Sequence, residues 1–592
     1  MTGLALRRVS TAGSAPRHRG PALPAASTVR AYGVPLYPKW SRRLAFAAIA
    51  SVYIAIGILL SFHYGIIVGD ALSRTADARF VLQSRDPHLA AMGFVFSPQT
   101  TLMQLPLVAV MSFWPTLLAH AVPATIVSSL CMAGSVLQVS GILRDRGTGL
   151  GWTYGLGLLY AAHPMIILYG ANGMSEGPFL LFCTAACRFL MRWMRSDDVH
   201  DLAVVAMALA AAYLVRYDAL AAGGFVAVLV AGTTWWRTRG TGERRLWASA
   251  TDATVVLIPL VSSFVLWALV SWLLSGEAFA QFSSVYGNSA ILKSSGQSDL
   301  TSLQRGLFSI GETMALAPLL PVVAVVVSVA AWARRTPEVL PPFAIFGGIL
   351  AFQAGSYTSG GTFGFLRYSI VAVPLTVVLV GLLRARRGVL VARRAGPAAK
   401  LIGLGSAPRK MLHATTLAAV LLLFPGMLVS WVAMGSTRMA PQEFAVPALV
   451  AGGHLAVGSA RSAETVDQAQ ALARTFGTER QLATYLDSLD LPDGSVLLDT
   501  VYGFAVVVGS TDPKQFVIPS DYDFVRLLND PNAGGVQYLL TVEPAGRGAT
   551  DAVNRRYPSL FASGGTVGSL MFEARNEGPN QPTFRLFRVI GS

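Results

Sequence analysis

The sequence predicts a polytopic α-helical membrane protein of about 11 transmembrane helices, followed by a C-terminal soluble α/β domain. Three observations carry that prediction. Of the 592 residues, 53% are hydrophobic and only 13% are charged, whereas soluble domains carry roughly 25% charged residues. Apolar runs of about 20 residues, the length that spans a bilayer, recur as far as residue 435. Beyond residue 436 the runs stop, and acidic residues outnumber basic ones by 16 to 12. An ordinary cytosolic enzyme, a disordered chain and a disulfide scaffold are excluded by the same figures. The net charge of +15 would suggest nucleic acid in a soluble protein, but in a membrane protein basic residues mark cytoplasmic loops.

Taken in order, residues 1–42 are rich in Pro, Ala, Ser and Arg and have no apolar period. They read as a disordered cytoplasmic tail, since the apolar run that follows comes too late and is too long for a cleaved signal peptide. The membrane domain is assigned to 43–435. Its apolar runs lie near 44–68, 117–143, 149–169, 177–194, 201–215, 219–235, 251–274, 308–332, 338–356, 365–383 and 411–435. A single helix over 201–235 would be about 50 Å long. It would also hold Arg216 and Asp218 in mid-bilayer, where charge is costly, so two short spans with these residues at the outer surface are expected. Cys131, Cys183 and Cys187 all fall in apolar runs and read as small buried residues. Cys183 and Cys187, four apart on one helix face, form the only candidate metal pair.

Charge orients the chain. With the N-terminus inside, the basic residues gather on the cytoplasmic side, with 8 in 1–43, 4 in 236–247 and 8 in 384–410, as the positive-inside rule requires. Eleven spans then put 436–592 outside. In that domain Thr478 and Gln481 form a capping-box pattern for a helix near 478–489, and Leu491-Pro492-Asp493-Gly494 is a turn. Strands are expected at Ser495–Leu498, Phe504–Val508, Val536–Val542 and Phe584–Val589, with helices near 521–529 and 551–560. There is no internal repeat, Walker loop, zinc spacing or nucleophile elbow.

Charged residues beside membrane helices are functional candidates by default, and on the outer side they cluster. The first outer loop, 70–115, is too long for a connector and is expected to hold helices along the membrane surface. Asp70 stands where the first span ends, placed to accept a proton from an acceptor hydroxyl; the plainer reading is a solvated charge at a helix exit. At the turn Asn172-Gly173-Met174-Ser175-Glu176, Gly173 permits the tight bend. Ser175 and Glu176 either cap and charge-stabilise the next helix, or Glu176 and Asn172 face the same cavity as Asp70. Arg216, Arg367 and Lys293 are the outer cations. An arginine at the membrane boundary suits a lipid-linked phosphate, with snorkelling or an Arg216–Asp218 pair as the alternatives.

These features resemble the GT-C class of membrane glycosyltransferases. The branch they are most similar to contains the protein O-mannosyltransferases and the aminoarabinose or arabinose transferases. The run Ser84-Arg85-Asp86-Pro87-His88-Leu89-Ala90-Ala91-Met92-Gly93-Phe94 and the turn Asn172–Glu176 resemble an actinobacterial subgroup. The resemblance covers 44–435. It implies a GT-C-like fold in the plasma membrane and a polyprenyl-phosphate-linked sugar donor used from the outer leaflet. It also implies an extracytoplasmic acceptor, membrane lipid as surroundings and no nucleic-acid partner. Asp70 would be the base or an acceptor-orienting group, Glu176 a further catalytic acid, and Arg85, His88, Asn172, Arg216, Lys293 or Arg367 would bind substrate. Many relatives carry an adjacent acidic pair, where this chain reads Gly69-Asp70-Ala71. Asp77, about two helical turns on, is the available second acid. A divalent cation is the one cofactor the resemblance allows for. The rivals are a transporter or flippase of lipid-linked sugars, which predicts mid-span charges and broken helices paired across repeats, and a non-catalytic envelope-assembly protein.

Overall fold

A computed structural model describes residues 39–280, 292, 300–383, 409–451, 458–579 and 581–591. Every one of the eleven apolar runs carries a helix. Six helices are long and apolar enough to cross a membrane: Trp40–His63, Val122–Asp145, Ala219–Arg237, Gly242–Ser275, Pro337–Thr358 and Leu366–Leu383. Two bent pairs add two spans if each pair crosses once, Leu150–Ala161 with Pro164–Ala171 (66°) and Ser302–Leu316 with Leu320–Ala333 (75°). Pro164, Pro318 and Pro321 stand at these breaks, where a missing N–H and a ring clash end the preceding turn. The other three runs are helical but shorter, more charged or only partly described: Val199–Tyr213, Glu176–Ser196 and Arg409–Met434. The 201–235 stretch is two helices, with Arg216 and Asp218 in the turn between them. Many outward residues of Gly242–Ser275, including Leu266 and Leu273, are exposed, the pattern of a lipid-facing helix.

Several sequence expectations are corrected. The tail assigned to 1–42 lies outside the described residues up to 38, and residues 39–42 already belong to the first helix. Phe504–Val508, expected as a strand, lies inside the helix Thr500–Gly509. A short apolar run does not distinguish the two, and Asp499 decides for helix by accepting from the Val501 N–H at 2.8 Å. The Thr478 capping box is absent because the helix starts earlier, at Gly477, with Phe476 as its N-cap; the Thr478 hydroxyl instead accepts from the Glu577 N–H. The helix expected near 551–560 is split into Ala552–Arg556 and Leu560–Ser563, with Pro558 between them.

The C-terminal sheet has the order β2-β1-β3-β5-β4, with β1 at Val496–Leu498, β2 at Phe516–Val517, β3 at Tyr538–Val542, β4 at Gly568–Ala574 and β5 at Phe584–Val589. β1 runs parallel to β2 and β3, whereas β5 is antiparallel to β3 and β4. Strand alternation sorts β5 between two cores. Phe584 and Leu586 join the large core that continues into the membrane helices, while Phe587 and Val589 join Leu497, Val517 and Leu539 on the other face.

The domain is tied to the segment 70–115 through the helix Gly69–Gln83, against which Thr500–Gly509 packs. Arg79, 1% exposed, sends Nη1 to the carbonyls of Val507 (3.1 Å), Val508 (2.7 Å) and Ser510 (2.7 Å). Those are the carbonyls that a helix C-terminus leaves without partners, and a cation there is favoured by the helix dipole. Arg79→Met is therefore expected to expose the C-terminal domain to protease in the otherwise folded protein. The loss should be about 2–3 kcal/mol, since bonds from a charged donor are worth roughly 1.5–3 kcal/mol and do not add fully. A cleavage rate equal to the wild type would contradict this.

Candidate active site

The site forms where four chain segments meet, one of them the turn that carries Arg216 and Asp218. The helix Gly69–Gln83 carries Asp70 in its first turn and Arg74 one turn later. Glu176 opens the helix Glu176–Ser196, following the turn at Gly173. Arg367 and Tyr368 lie in the short turn Leu366–Ser369. Gly173 has φ +78°, and a Cβ there would lie 2.8 Å from the Ala124 Cβ and 3.1 Å from that of Ala71. Only glycine lets the turn approach the Asp70 helix so closely. Gly173→Ala should cost about 1–3 kcal/mol through strain and overpacking, measurable as a lower unfolding temperature in detergent; an unshifted transition would refute the packing argument.

Asp70, Glu176, Arg216 and Arg367 converge. Arg367 Nη1 lies 3.5 Å from Asp70 Oδ2 and 3.9 Å from Glu176 Oε1. Arg216 Nη1 lies 2.7 Å from Glu176 Oε1, and its Nε and Nη2 are 2.9 and 2.8 Å from Asp218 Oδ2. Glu176 is fully buried, whereas the Asp70 side chain is 38% exposed, so the cluster opens to its surroundings at Asp70. Both arginines lie on the ring of Tyr368 at 5.1 Å, and cation–π contact helps keep such groups charged away from water. Behind Arg367, the Tyr169 hydroxyl donates to Glu443. Burial raises the Glu443 carboxyl above the ordinary range, with Tyr169 and Arg367 opposing. Burial would raise Asp70 as well, but the charges of Arg367 and Arg74, the Arg367 hydrogen bond and the charge of Arg547 outweigh it, and Asp70 sits below the usual carboxylate range. Asp77 is the reverse. Burial pushes it well above that range with only Arg74 opposing, and it takes no part in the Arg367 ion pairs.

Among the described residues, the remaining expected binders make other contacts. Arg85 is engaged by the C-terminal domain, at 3.4 Å from Asp521 and in closer contact with Asp523. His88 accompanies it, stacked on Tyr522 with ring centroids 4.6 Å apart. Asn172 turns its Oδ1 to the Met174 N–H at 3.1 Å, a turn-forming bond. Ser175 is the N-cap but makes no capping bond. Lys293 lies outside the described residues. Cys131, Cys183 and Cys187 are buried free thiols. Among the described residues no group of three or more His, Cys, Asp or Glu is arranged to hold a metal ion.

Arg74, Tyr169, Tyr368 and Glu443 also surround the cluster and were not among the expected site residues. Arg74 had a local signal, being four residues after Asp70 and so on the same helix face. Glu443 had none, since it lies beyond the last apolar run and reaches the site only through the tertiary fold.

With this geometry defined, likeness to solved structures becomes informative. The crystal structure of ArnT from Cupriavidus metallidurans bound to undecaprenyl phosphate superposes with a TM-score of 0.51 at 15% identity, over 94% of this chain and 99% of that one. The apo state of the same protein gives 0.52 at 15% identity, over 92% and 98%. The chain has an ArnT-like GT-C fold. A match over 94% of this chain takes in part of residues 436–592 as well as the membrane helices. No protein-family model matches the sequence, and no curated protein does.

Proposed function

We propose that this protein is a plasma-membrane glycosyltransferase of the aminoarabinose and protein O-mannosyltransferase branch. It moves a sugar from a polyprenyl-phosphate donor to a hydroxyl on an extracytoplasmic acceptor, a wall glycan, a lipid or a protein. The N-terminus is cytoplasmic and residues 436–592 are outside. The observation that carries the reading is the Asp70–Arg367–Glu176–Arg216 cluster, set at the ends of apolar helices on a fold shared with a protein crystallised with undecaprenyl phosphate. The reaction is one inverting displacement. The acceptor oxygen attacks the anomeric carbon as its proton passes to Asp70. The bond from that carbon to the phosphate oxygen breaks, its electron pair stays on the phosphate, and guanidinium groups stabilise the developing charge. Glu176 holds Arg216 and Arg367 in place, and the prenyl chain lies against the apolar helices.

One observation favours a second reading. The two broken spans and the buried Glu312 within one of them are features of transporters, which would make the protein a flippase of lipid-linked sugars. A deletion strain separates the two. The transferase reading expects a polyprenyl-phosphate sugar to accumulate and to remain accessible at the outer face, with one envelope sugar missing. Accumulation confined to the inner leaflet would support the flippase, and unchanged lipid-linked and envelope sugars would overturn both.

A further inference from the structure

The helix Glu176–Ser196 carries Glu176 in the Asp70 cluster at one end and Arg195 at the other. Its 21 residues make it about 30 Å long, the thickness of a bilayer's hydrocarbon core. A second charged group therefore stands at the membrane boundary opposite the Asp70 cluster. There Glu338 is buried in close contact with Arg146, and Arg195 Nε lies 3.8 Å from it. Beside them opens a cleft of about 220 Å³, lined by Arg146, Arg334, Thr336 and Glu338 over an apolar floor that includes Val327 and Leu382.

Positive charge is in excess here. Arg146 and Arg195 already outnumber Glu338. Arg334 and Arg335 are exposed, and neither makes an ion pair among the described residues. Arg334 turns Nη1 to the Leu383 carbonyl at 3.0 Å, which leaves most of its five donors for another partner. Arg335 has φ +50°, the left-handed region that is uncommon outside glycine. That bend follows the end of the helix Leu320–Ala333 and brings the chain back to the cleft at Thr336, whose N–H donates to the Ala331 carbonyl at 2.9 Å. The helix dipole attracts cations to this end but offers them no anion. Trp332, on the last turn of the same helix, is 83% exposed, as aromatic residues at a membrane–water boundary are.

We propose that this cleft binds the phosphate of an anionic phospholipid, held by Arg334 and Arg335. In the topology proposed above this is the inner leaflet. The site lies apart from the sugar-transfer machinery and does not depend on that reading. Guanidinium forks match phosphate oxygens in pairs, and basic pockets between membrane helices suit anionic head groups. Glu338, engaged by Arg146 and Arg195, repels the ligand less than a free carboxylate would. Val325 and Val329 are exposed on the helix that leads to the cleft, an apolar surface for acyl chains that favours a lipid over a free anion.

The test uses the full chain purified in a neutral detergent and reads lipid binding by native mass spectrometry. Dioleoylphosphatidylglycerol is expected to bind at least about fivefold more tightly than dioleoylphosphatidylcholine. The double variant Arg334→Gln with Arg335→Gln should bind the anionic lipid about 5–30-fold more weakly, since each basic residue at a membrane surface contributes roughly fivefold. Arg334→Lys with Arg335→Lys keeps the charge and should retain most of the affinity, which separates loss of charge from loss of folding. Arg239→Gln with Arg244→Gln is the control: both residues are exposed and follow Arg237, which meets the Met194 carbonyl beside Arg195. That pair should bind as the wild type does. No preference for the anionic lipid, an unchanged affinity in the Arg334/Arg335 glutamine variant, or an equal loss in the control overturns the inference. Displacement of the lipid by an equimolar amount of inorganic phosphate would make the ligand a free anion and overturn the lipid assignment.

Discussion

Asp70→Asn is expected to reduce sugar transfer by about 10²–10⁴-fold, the usual contribution of a positioned general base, while leaving folding and membrane insertion intact. The amide keeps the shape of the carboxylate, and the side chain is 38% exposed with a single ion-pair contact at 3.5 Å, so little stability depends on its charge. The assay is turnover of a radiolabelled lipid-linked sugar by membranes from a deletion strain carrying each form. Full activity of a normally expressed Asp70→Asn protein would remove Asp70 from the mechanism. The pH profile adds a second reading. In the free protein Arg367 and Arg74 overcome the effect of burial and lower the Asp70 pKa, so the carboxylate stays ionised through neutral pH. The acid limb of kcat/KM for the donor should therefore fall below about pH 4, the ordinary aspartate value.

Glu176→Ala is expected to be the most destabilising substitution in the site, by about 3–5 kcal/mol, because it strips one partner from a buried ion pair. Glu176 is fully buried at 2.7 Å from Arg216 and 3.9 Å from Arg367. Without it, Asp218 alone faces Arg216, and Arg367 keeps only its long contact with Asp70. The double variant Glu176→Ala with Arg216→Met should recover part of the loss, since replacing a buried pair by apolar groups is far less costly than breaking it. Chemical unfolding of the purified protein reads both effects. Additive losses in the double variant would show that the pair contributes no coupling. Undecaprenyl phosphate binding should weaken in the single variant, because Arg367 loses one of the two groups that hold it.

The membrane architecture was legible because its signal is local. An apolar run of span length needs no partner to declare itself, and every such run carries a helix. The strand Phe584–Val589 coincides with its expected bounds, a short apolar run interrupted by Arg585 and Arg588. Phe504–Val508 was misread for a physical reason. A buried strand and a buried helix show the same continuous apolarity over five residues, and the capping carboxylate of Asp499 lies outside the window. The glycine turn at 173 could be placed from sequence. Its reason, the close approach of Ala124 and Ala71, could not, because both neighbours are distant in the chain.

The acids and cations on the outer side were also visible in the sequence, because charge beside apolar segments is conspicuous whatever its partners. Which of them meet was visible only where they are near in sequence, as in the Arg216–Asp218 pair. Arg85, chosen from a family-like run, is held by Asp521 and Asp523, while Arg74, marked in sequence only by its spacing from Asp70, is buried without an ion pair among the described residues beside the Asp70 helix turn. Sequence alone determined that this is a membrane-embedded helical protein with an α/β region after its last apolar run and a small set of charged residues beside its apolar segments. Hydropathy and composition are properties of contiguous chain. The tertiary structure decided which charges meet, which are neutralised and which remain available to a ligand. Ion pairing depends on distances between segments hundreds of residues apart, as between Asp70 and Arg367.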